Sequence, residues 1–267
     1  ISIGLVGSEM CIRDRSVKIW GYLYLCIMTS SEKPFVIVDA GNTSVKVAHV
    51  KNSQILSVQR FAQVSDALST ISDADVVCAS VLNENFRQFF IERGGSFYQI
   101  THQSTLPFKS AYESMETIGV DRLCNMAAAF KLFGSQNCLV VDIGTCIKFD
   151  FISENNVYLG GSIAPGIELR YKALHEHTSQ LPMLDFKSAV SIIGEDTNKS
   201  MHSGVINGIQ HEIQGMIMRY KKDFGDLKIL ITGGDASYFE FPQKSNIFAN
   251  KNLTLEGIVE IYEINAL

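Results

Sequence analysis

One arrangement occurs twice in this chain, and it constrains the fold more than any other feature. Phe35 to Val38 is an apolar run that ends in Asp39, turns through Ala40-Gly41-Asn42-Thr43 and resumes from Val45 to Val50. In the second half, Cys138 to Val141 ends in Asp142, turns through Ile143-Gly144-Thr145 and resumes from Cys146 to Ile152. Each second run carries a lysine, Lys46 or Lys148, and each leads through a polar turn to a third run, Gln54 to Phe61 or Val157 to Ile163. Short apolar, β-branched runs bounded by Gly, Asn and Ser read as strands. Each half therefore opens on a β-meander with a carboxylate at its first bend, and the repetition predicts two structurally related units.

Mixed material follows each meander. Asp75 to Val81 reads as a buried parallel strand and Asn85 to Arg93 as a helix. Val120 to Phe133 reads as an amphipathic helix with Leu123, Met126, Ala127 and Phe130 on one stripe. Ile167 to His177 and Thr197 to Phe224 read as helices, Leu227 to Ile231 as a buried strand, and Leu253 to Ile264 as a closing helix. A meander followed by alternating helices and strands, done twice, predicts the α/β class. Its expected form is two ribonuclease H-like domains of the actin/hexokinase superfamily around a central cleft. The expected domains are 33–134 and 135–267, packed closely because no low-complexity linker separates them.

Residues 1–27 do not share this pattern. The run Ile19 to Ile27 follows Arg13, Arg15 and Lys18 and imitates a signal peptide. It is shorter than the ~20 residues that span a bilayer. The stretch Gly7 to Arg15 resembles translated sequencing-adapter DNA, so a non-native extension and a natural start at Met28 are expected. The formal net charge of −5 gives no electrostatic reason to expect nucleic acid as a partner. The six cysteines form no C-x-x-C pair, and reduced, buried thiols in a cytoplasmic protein are expected.

The bends carry the chemistry. Gly41 permits a sharp turn and close approach of a ligand. Successive N–H groups there, with Asn42 and Thr43, suit phosphate. Asp39 suits Mg²⁺ held through water, and Lys46 suits phosphate charge. An ordinary hairpin turn would use the same residue types, but two aspartate-bearing bends in one chain favour the bracketing of a nucleoside triphosphate. Thr232-Gly233-Gly234-Asp235 follows an apolar strand, where ligands of open α/β sheets gather. Gly160 to Gly166 joins a strand to a helix and offers backbone N–H groups.

Gly119-Val120-Asp121-Arg122 opens a helix. Asp121 reads either as a helix cap or as an acceptor of a substrate hydroxyl proton, a charge the helix N-terminus favours. Arg122 suits a carboxylate, gripped bidentately. Thr197 reads either as a capping residue or as a substrate contact. His175 and His177 face apart and do not share a metal.

Taken in register, these motifs resemble the type III pantothenate kinases. D-x-G-N-T-x-x-K is met by Asp39 to Lys46, G-x-D-R by Gly119 to Arg122 and D-x-G-T by Asp142 to Thr145. G-G-x-I-x-P-G is met by Gly160 to Gly166 and T-G-G-D-A by Thr232 to Ala236. A tyrosine ahead of G-x-D-R is met by Tyr112. The resemblance implies ATP-dependent phosphorylation of the primary hydroxyl of pantothenate by a cytoplasmic homodimer with no membrane contact. It assigns ATP and Mg²⁺ to Asp39, Ala40, Gly41, Asn42, Thr43, Ser44, Val45 and Lys46, with Thr145 also touching ATP. Asp121 becomes the proton acceptor. Tyr112, Gly119, Val120, Asp121, Arg122 and Thr197 contact pantothenate, and Asp142 binds a monovalent cation, K⁺ or NH₄⁺. Here Cys146-Ile147-Lys148 follows the second motif in place of the family's usual polar stretch, so Lys148 is an alternative source of that charge. Two rivals remain: another small-molecule kinase or phosphatase of the superfamily, and a non-catalytic transcriptional accessory protein.

Overall fold

The opening apolar run of each repeat has both faces covered. In β1 (Phe35–Ala40), Phe35 and Ile37 face a central core while Val36 and Val38 face an outer one. In β7 (Cys138–Ile143), Cys138 and Val140 face the central core while Leu139 and Val141 face the opposite outer one. Strands buried on both faces need apolar residues at every position, which is why these runs do not alternate.

The computed structural model describes residues 33–72, 74–82, 86–91, 95–188, 190–241 and 246–266. The expected extension at 1–27 lies outside them, as do the flanks of the helix expected over 85–93.

The first sheet adds β2 (Val45–Lys51), β3 (Gln54–Phe61), β4 (Asp75–Ser80) and β5 (Phe97–Gln99), in the order β3-β2-β1-β4-β5. The second contains β6 (Lys109–Ser110), β7, β8 (Cys146–Ile152), β9 (Val157–Pro165), β10 (Lys228–Thr232) and β11 (Ile247–Ala249), in the order β11-β10-β7-β8-β9-β6. In each, an antiparallel meander is extended by two parallel strands, β4 and β5 or β10 and β11. The meanders, β4 and β10 are the expected strands, and their shared order is the expected duplication. The segment before residue 134 also supplies β6, which pairs parallel with β9.

Among the described residues, six α-helices cover the sheets. α1 (Val64–Ser69) and α2 (Phe86–Ile91) pack on the outer face of the first sheet. α4 (Ile167–Glu176) and α5 (Thr197–Phe224) pack on the outer face of the second. α3 (Val120–Phe133) and α6 (Leu253–Asn265) lie in the central core, against both sheets and each other. The expected one-sided stripe on α3 is therefore corrected, because every residue from Arg122 to Ala129 is buried. The α3–α6 contact is close enough that a Cβ on Gly257 would sit 1.7 Å from the carbonyl oxygen of Cys124. α1, β5, β6 and β11 were not expected from sequence, being too short to establish a period.

Candidate active site

Hairpin register builds the site. Asp39 lies directly opposite Lys46 across β1 and β2, and Asp142 directly opposite Lys148 across β7 and β8. Directly opposed residues of an antiparallel pair share a face and touch. Lys46 Nζ stands 3.5 Å from Asp39 Oδ2, and Lys148 Nζ 2.8 Å from Asp142 Oδ2. The two bends face each other, and the hydroxyls of Thr43 and Thr145 share a hydrogen bond of 2.6 Å. Asn125 on α3 donates to Asp142 Oδ2 at 3.2 Å and accepts from Thr254 of α6 at 2.8 Å, so the central helices brace the second bend.

α3 aims a third carboxylate at the same place. Its N-cap residue is Gly119, in extended backbone, so Asp121 is inside the first turn and is not the cap. Asp121 Oδ1 accepts the Arg122 N–H at 2.9 Å, while Oδ2 lies 2.5 Å from Lys148 Nζ. Lys148 thus bridges two carboxylates from different elements. Burial alone would lower its pKa, but Asp142 and Asp121 outweigh burial and hold it above the ordinary lysine value. Asp39 is pushed above the usual carboxylate range by burial, with Lys46 opposing the shift and Asp121 and Asp142 adding to it.

Arg122 points the other way. Its Nε and Nη2 donate to Asp150 Oδ1 at 3.0 and 2.6 Å, and Tyr158 donates to the same oxygen at 2.7 Å. Arg122 is 4% exposed and Asp150 1%. The fork expected to grip a substrate carboxylate is occupied by Asp150. Tyr112 stacks on Tyr158 at 5.9 Å between ring centroids, and the Arg122 guanidinium lies 5.5 Å from the Tyr112 ring.

The opposite wall is the carboxyl end of β10. Gly233 has φ +100, and a Cβ there would stand 2.1 Å from the Ile143 carbonyl oxygen, so only glycine fits. Arg60, from β3 of the other sheet, donates to Ser44 Oγ at 2.8 Å and lies beside Gly234. Burial raises the pKa of Asp235 here, with Arg60 opposing the shift. Together these walls enclose a cleft of ≈ 1270 Å³ between the two sheets. Among the described residues, no group of three or more His, Cys, Asp or Glu could hold a metal ion by itself.

The type III pantothenate kinase family profile matches residues 35–219. A type III pantothenate kinase of Christiangramia forsetii is 37% identical over 239 residues, covering 86% of this chain and 98% of its own. This chain belongs to the type III pantothenate kinase family. A family member from Flavobacterium johnsoniae is 39% identical over 236 residues, covering 85% of this chain and 96% of its own. Among solved structures, a Campylobacter jejuni protein described as a Baf family transcriptional activator matches with TM-score 0.61 at 23% identity, over 87% of this chain and 99% of that one. A protein from Sinorhizobium meliloti, described as a 2-dehydro-3-deoxygalactonokinase, matches with TM-score 0.52 at 12% identity, over 86% and 98%. Those two likenesses speak to the fold, which is the two-domain actin/hexokinase-like architecture.

Most residues of the family motifs meet in the cleft. Asp39, Ala40, Gly41, Asn42, Thr43, Ser44, Lys46, Tyr112, Gly119, Asp121, Arg122, Asp142 and Thr145 line it. Val45 is buried in the outer core, and Val120 packs against the central one. Thr197 lines a separate shallow pocket with Lys187, Asp196, Asn198, Lys199 and His202. The cap of α5 is Asp196, whose side chain accepts the Lys199 N–H at 2.8 Å, so Thr197 does not cap it. Sequence reasoning missed Arg60 and Asp150. The buried carboxylate of Asp150 was legible as an acid in the apolar strand Cys146 to Ile152. Arg60 carried no signal, because an arginine in an exposed third strand is ordinary.

Proposed function

We propose that this chain transfers the γ-phosphoryl group of ATP to the primary hydroxyl of pantothenate, giving 4'-phosphopantothenate in the first step toward coenzyme A. The observation that carries this reading is the Asp121 carboxylate, set in one cleft with the two aspartate hairpins of a pantothenate kinase family member.

Phosphoryl transfer passes through a loose transition state, so positioning and charge compensation dominate. The turn from Asp39 to Lys46 cradles the phosphates with backbone N–H groups, and Thr43 and Thr145 add hydroxyls. Asp39 would hold Mg²⁺ through water. The fit is sound, since Asp39 lines the cleft with its side chain 14% exposed, and a carboxylate pushed above its usual range by desolvation gains from a nearby cation. Mg²⁺ commonly binds one or two carboxylates together with substrate phosphates, and when bound it neutralises phosphate charge. Asp121 accepts the hydroxyl proton. Tyr112, Gly119, Val120, Arg122 and Thr197 are the proposed pantothenate contacts, Val120 and Thr197 from outside the cleft lining of the single chain, and Arg122, whose fork Asp150 holds, as a positive charge in the wall rather than as a carboxylate grip.

A monovalent cation on Asp142 fits poorly. The Lys148 ammonium and the Asn125 amide already meet Asp142 Oδ2, so a second cation there would have to share that oxygen with an ammonium. We propose a cytoplasmic homodimer, each chain folding as two domains, 33–134 and 135–267. Cys78, Cys124 and Cys138 are buried free thiols, and no helix among the described residues is long and apolar enough to cross a membrane. Ile192 and Ile193, 68% and 72% exposed, give a second copy apolar surface to cover.

The test is ADP release with pantothenate, sugars and acetate offered in parallel. Turnover with pantothenate alone is expected. Turnover with a sugar or acetate instead would move the chain to another kinase class, and no turnover at all would favour the accessory-protein reading.

A further inference from the structure

The two hairpin lysines occupy equivalent positions but behave differently. Among the described residues, Lys46 forms an ion pair only with its own hairpin's Asp39, at 3.5 Å, with its side chain 28% exposed. Lys148 is 16% exposed and reaches past its own hairpin to α3, contacting Asp142 at 2.8 Å and Asp121 at 2.5 Å. Sheet register places Lys148 opposite Asp142, and the N-terminal turn of α3 brings Asp121 to the same ammonium. An ammonium has three donors. Two are accounted for by these carboxylates, and Lys148 also lines the cleft, where the third can meet an anionic group.

Without that ammonium, two carboxylates from separate elements would converge on an empty point and repel. A soluble monovalent ion at such a place would supply one positive charge between them. We infer that Lys148 is a covalently tethered cation of this site, which bridges Asp121 to Asp142, fixes the orientation of Asp121 and makes a soluble monovalent ion unnecessary. Lys148 is a positioning residue, acting on the reacting hydroxyl through Asp121. The inference rests on the proposed kinase reading for its consequence on rate, but the bridging itself does not depend on the substrate.

The experiment compares wild type, Lys148→Ala, Lys148→Met and Lys148→Arg in KCl, NH₄Cl and tetramethylammonium chloride at one ionic strength. Melting temperature is measured without substrates, and ADP release is measured with saturating ATP and pantothenate. Wild type should show the same melting temperature and kcat in all three salts. Lys148→Ala should lose about 10–100-fold in kcat, the scale of one charge-assisted hydrogen bond. NH₄Cl should restore part of its rate and raise its melting temperature, while tetramethylammonium, too large to enter, should do neither. Lys148→Met fills the space without charge, so it should lose a similar factor and gain nothing from NH₄Cl. Lys148→Arg, which keeps the charge, should retain more activity than Lys148→Met.

Activation of wild type by K⁺ over tetramethylammonium would overturn the inference. So would a wild-type kcat in either uncharged variant, or a folded Lys148→Ala that ignores NH₄Cl in both readouts. If Lys148→Ala does not fold, Lys148→Met and Lys148→Arg carry the test, and equal rates in the two would overturn it. Should wild type fail to turn over pantothenate, the kinase reading falls alone, and the salt dependence of the melting temperatures still decides the role of Lys148.

Discussion

The hydroxyl of Thr43 lies 2.6 Å from the hydroxyl of Thr145, so corresponding residues of the two repeats meet across the cleft. If the phosphate chain of ATP enters between the bends, as proposed, it parts this pair and replaces its hydrogen bond. Hydrogen bonds to charged groups are worth about 1.5–3 kcal/mol. Thr145→Val should therefore raise KM for ATP about 10-fold or more and leave KM for pantothenate unchanged. Steady-state kinetics with each substrate varied will check this, and an unaltered KM for ATP would remove Thr145 from the phosphate site.

Asp121→Asn separates chemistry from helix structure. A general base contributes ~10²–10⁴-fold, so kcat should fall by about that factor with ATP affinity nearly intact. Gly119 is the N-cap of α3, and the amide oxygen of Asn can still accept the Arg122 N–H, so the helix should persist. Circular dichroism and calorimetry will show whether the fold survives. A near-wild-type kcat would rule out Asp121 as the proton acceptor.

Asp39 should cost stability in the absence of ligand. Its folded-state pKa is raised, chiefly by burial, above the ordinary value of 3.8. The folded state therefore binds this proton more tightly than the unfolded state does, and stability falls as pH rises from 3.8 through the folded pKa. Asp39→Asn removes the buried charge and should raise the ligand-free melting temperature at pH 7, with the gain shrinking as pH falls through that window. Addition of Mg-ATP should raise the melting temperature of wild type more than that of the variant. A variant that melts below wild type at pH 7 would contradict this account.

Two ion pairs should differ sharply in worth. Removing Asp150 leaves the Arg122 guanidinium buried without its carboxylate, and breaking such a pair costs about 3–5 kcal/mol. The Arg219–Asp223 pair, with side chains 72% and 39% exposed, should contribute less than about 1 kcal/mol. Urea denaturation of Asp150→Ala and Asp223→Ala will compare them, and similar losses from both would refute the larger worth of the buried Arg122–Asp150 pair.

Much of the fold was legible in the chain. The meander strands, α3, α5 and the bend aspartates follow from local rules, because a strand or turn is selected by residues adjacent in sequence. Gly119 and Gly134 bound α3 in the same way. The sequence also determined that Asp39 would face Lys46 and Asp142 would face Lys148, since hairpin register is set by the length of the turn.

Contacts between elements far apart in the chain were decided by tertiary structure alone. Whether Arg122 would serve a substrate or Asp150, and whether Lys148 would stop at Asp142 or reach Asp121, depends on how α3 seats against β8. Arg60 enters the cleft only because the first sheet brings β3 beside the end of β10. The short strands β6 and β11 exist because longer neighbours offer them an edge, not because their own residues demand extension. Side chains of this kind take their partners from packing, and packing is a property of the whole core.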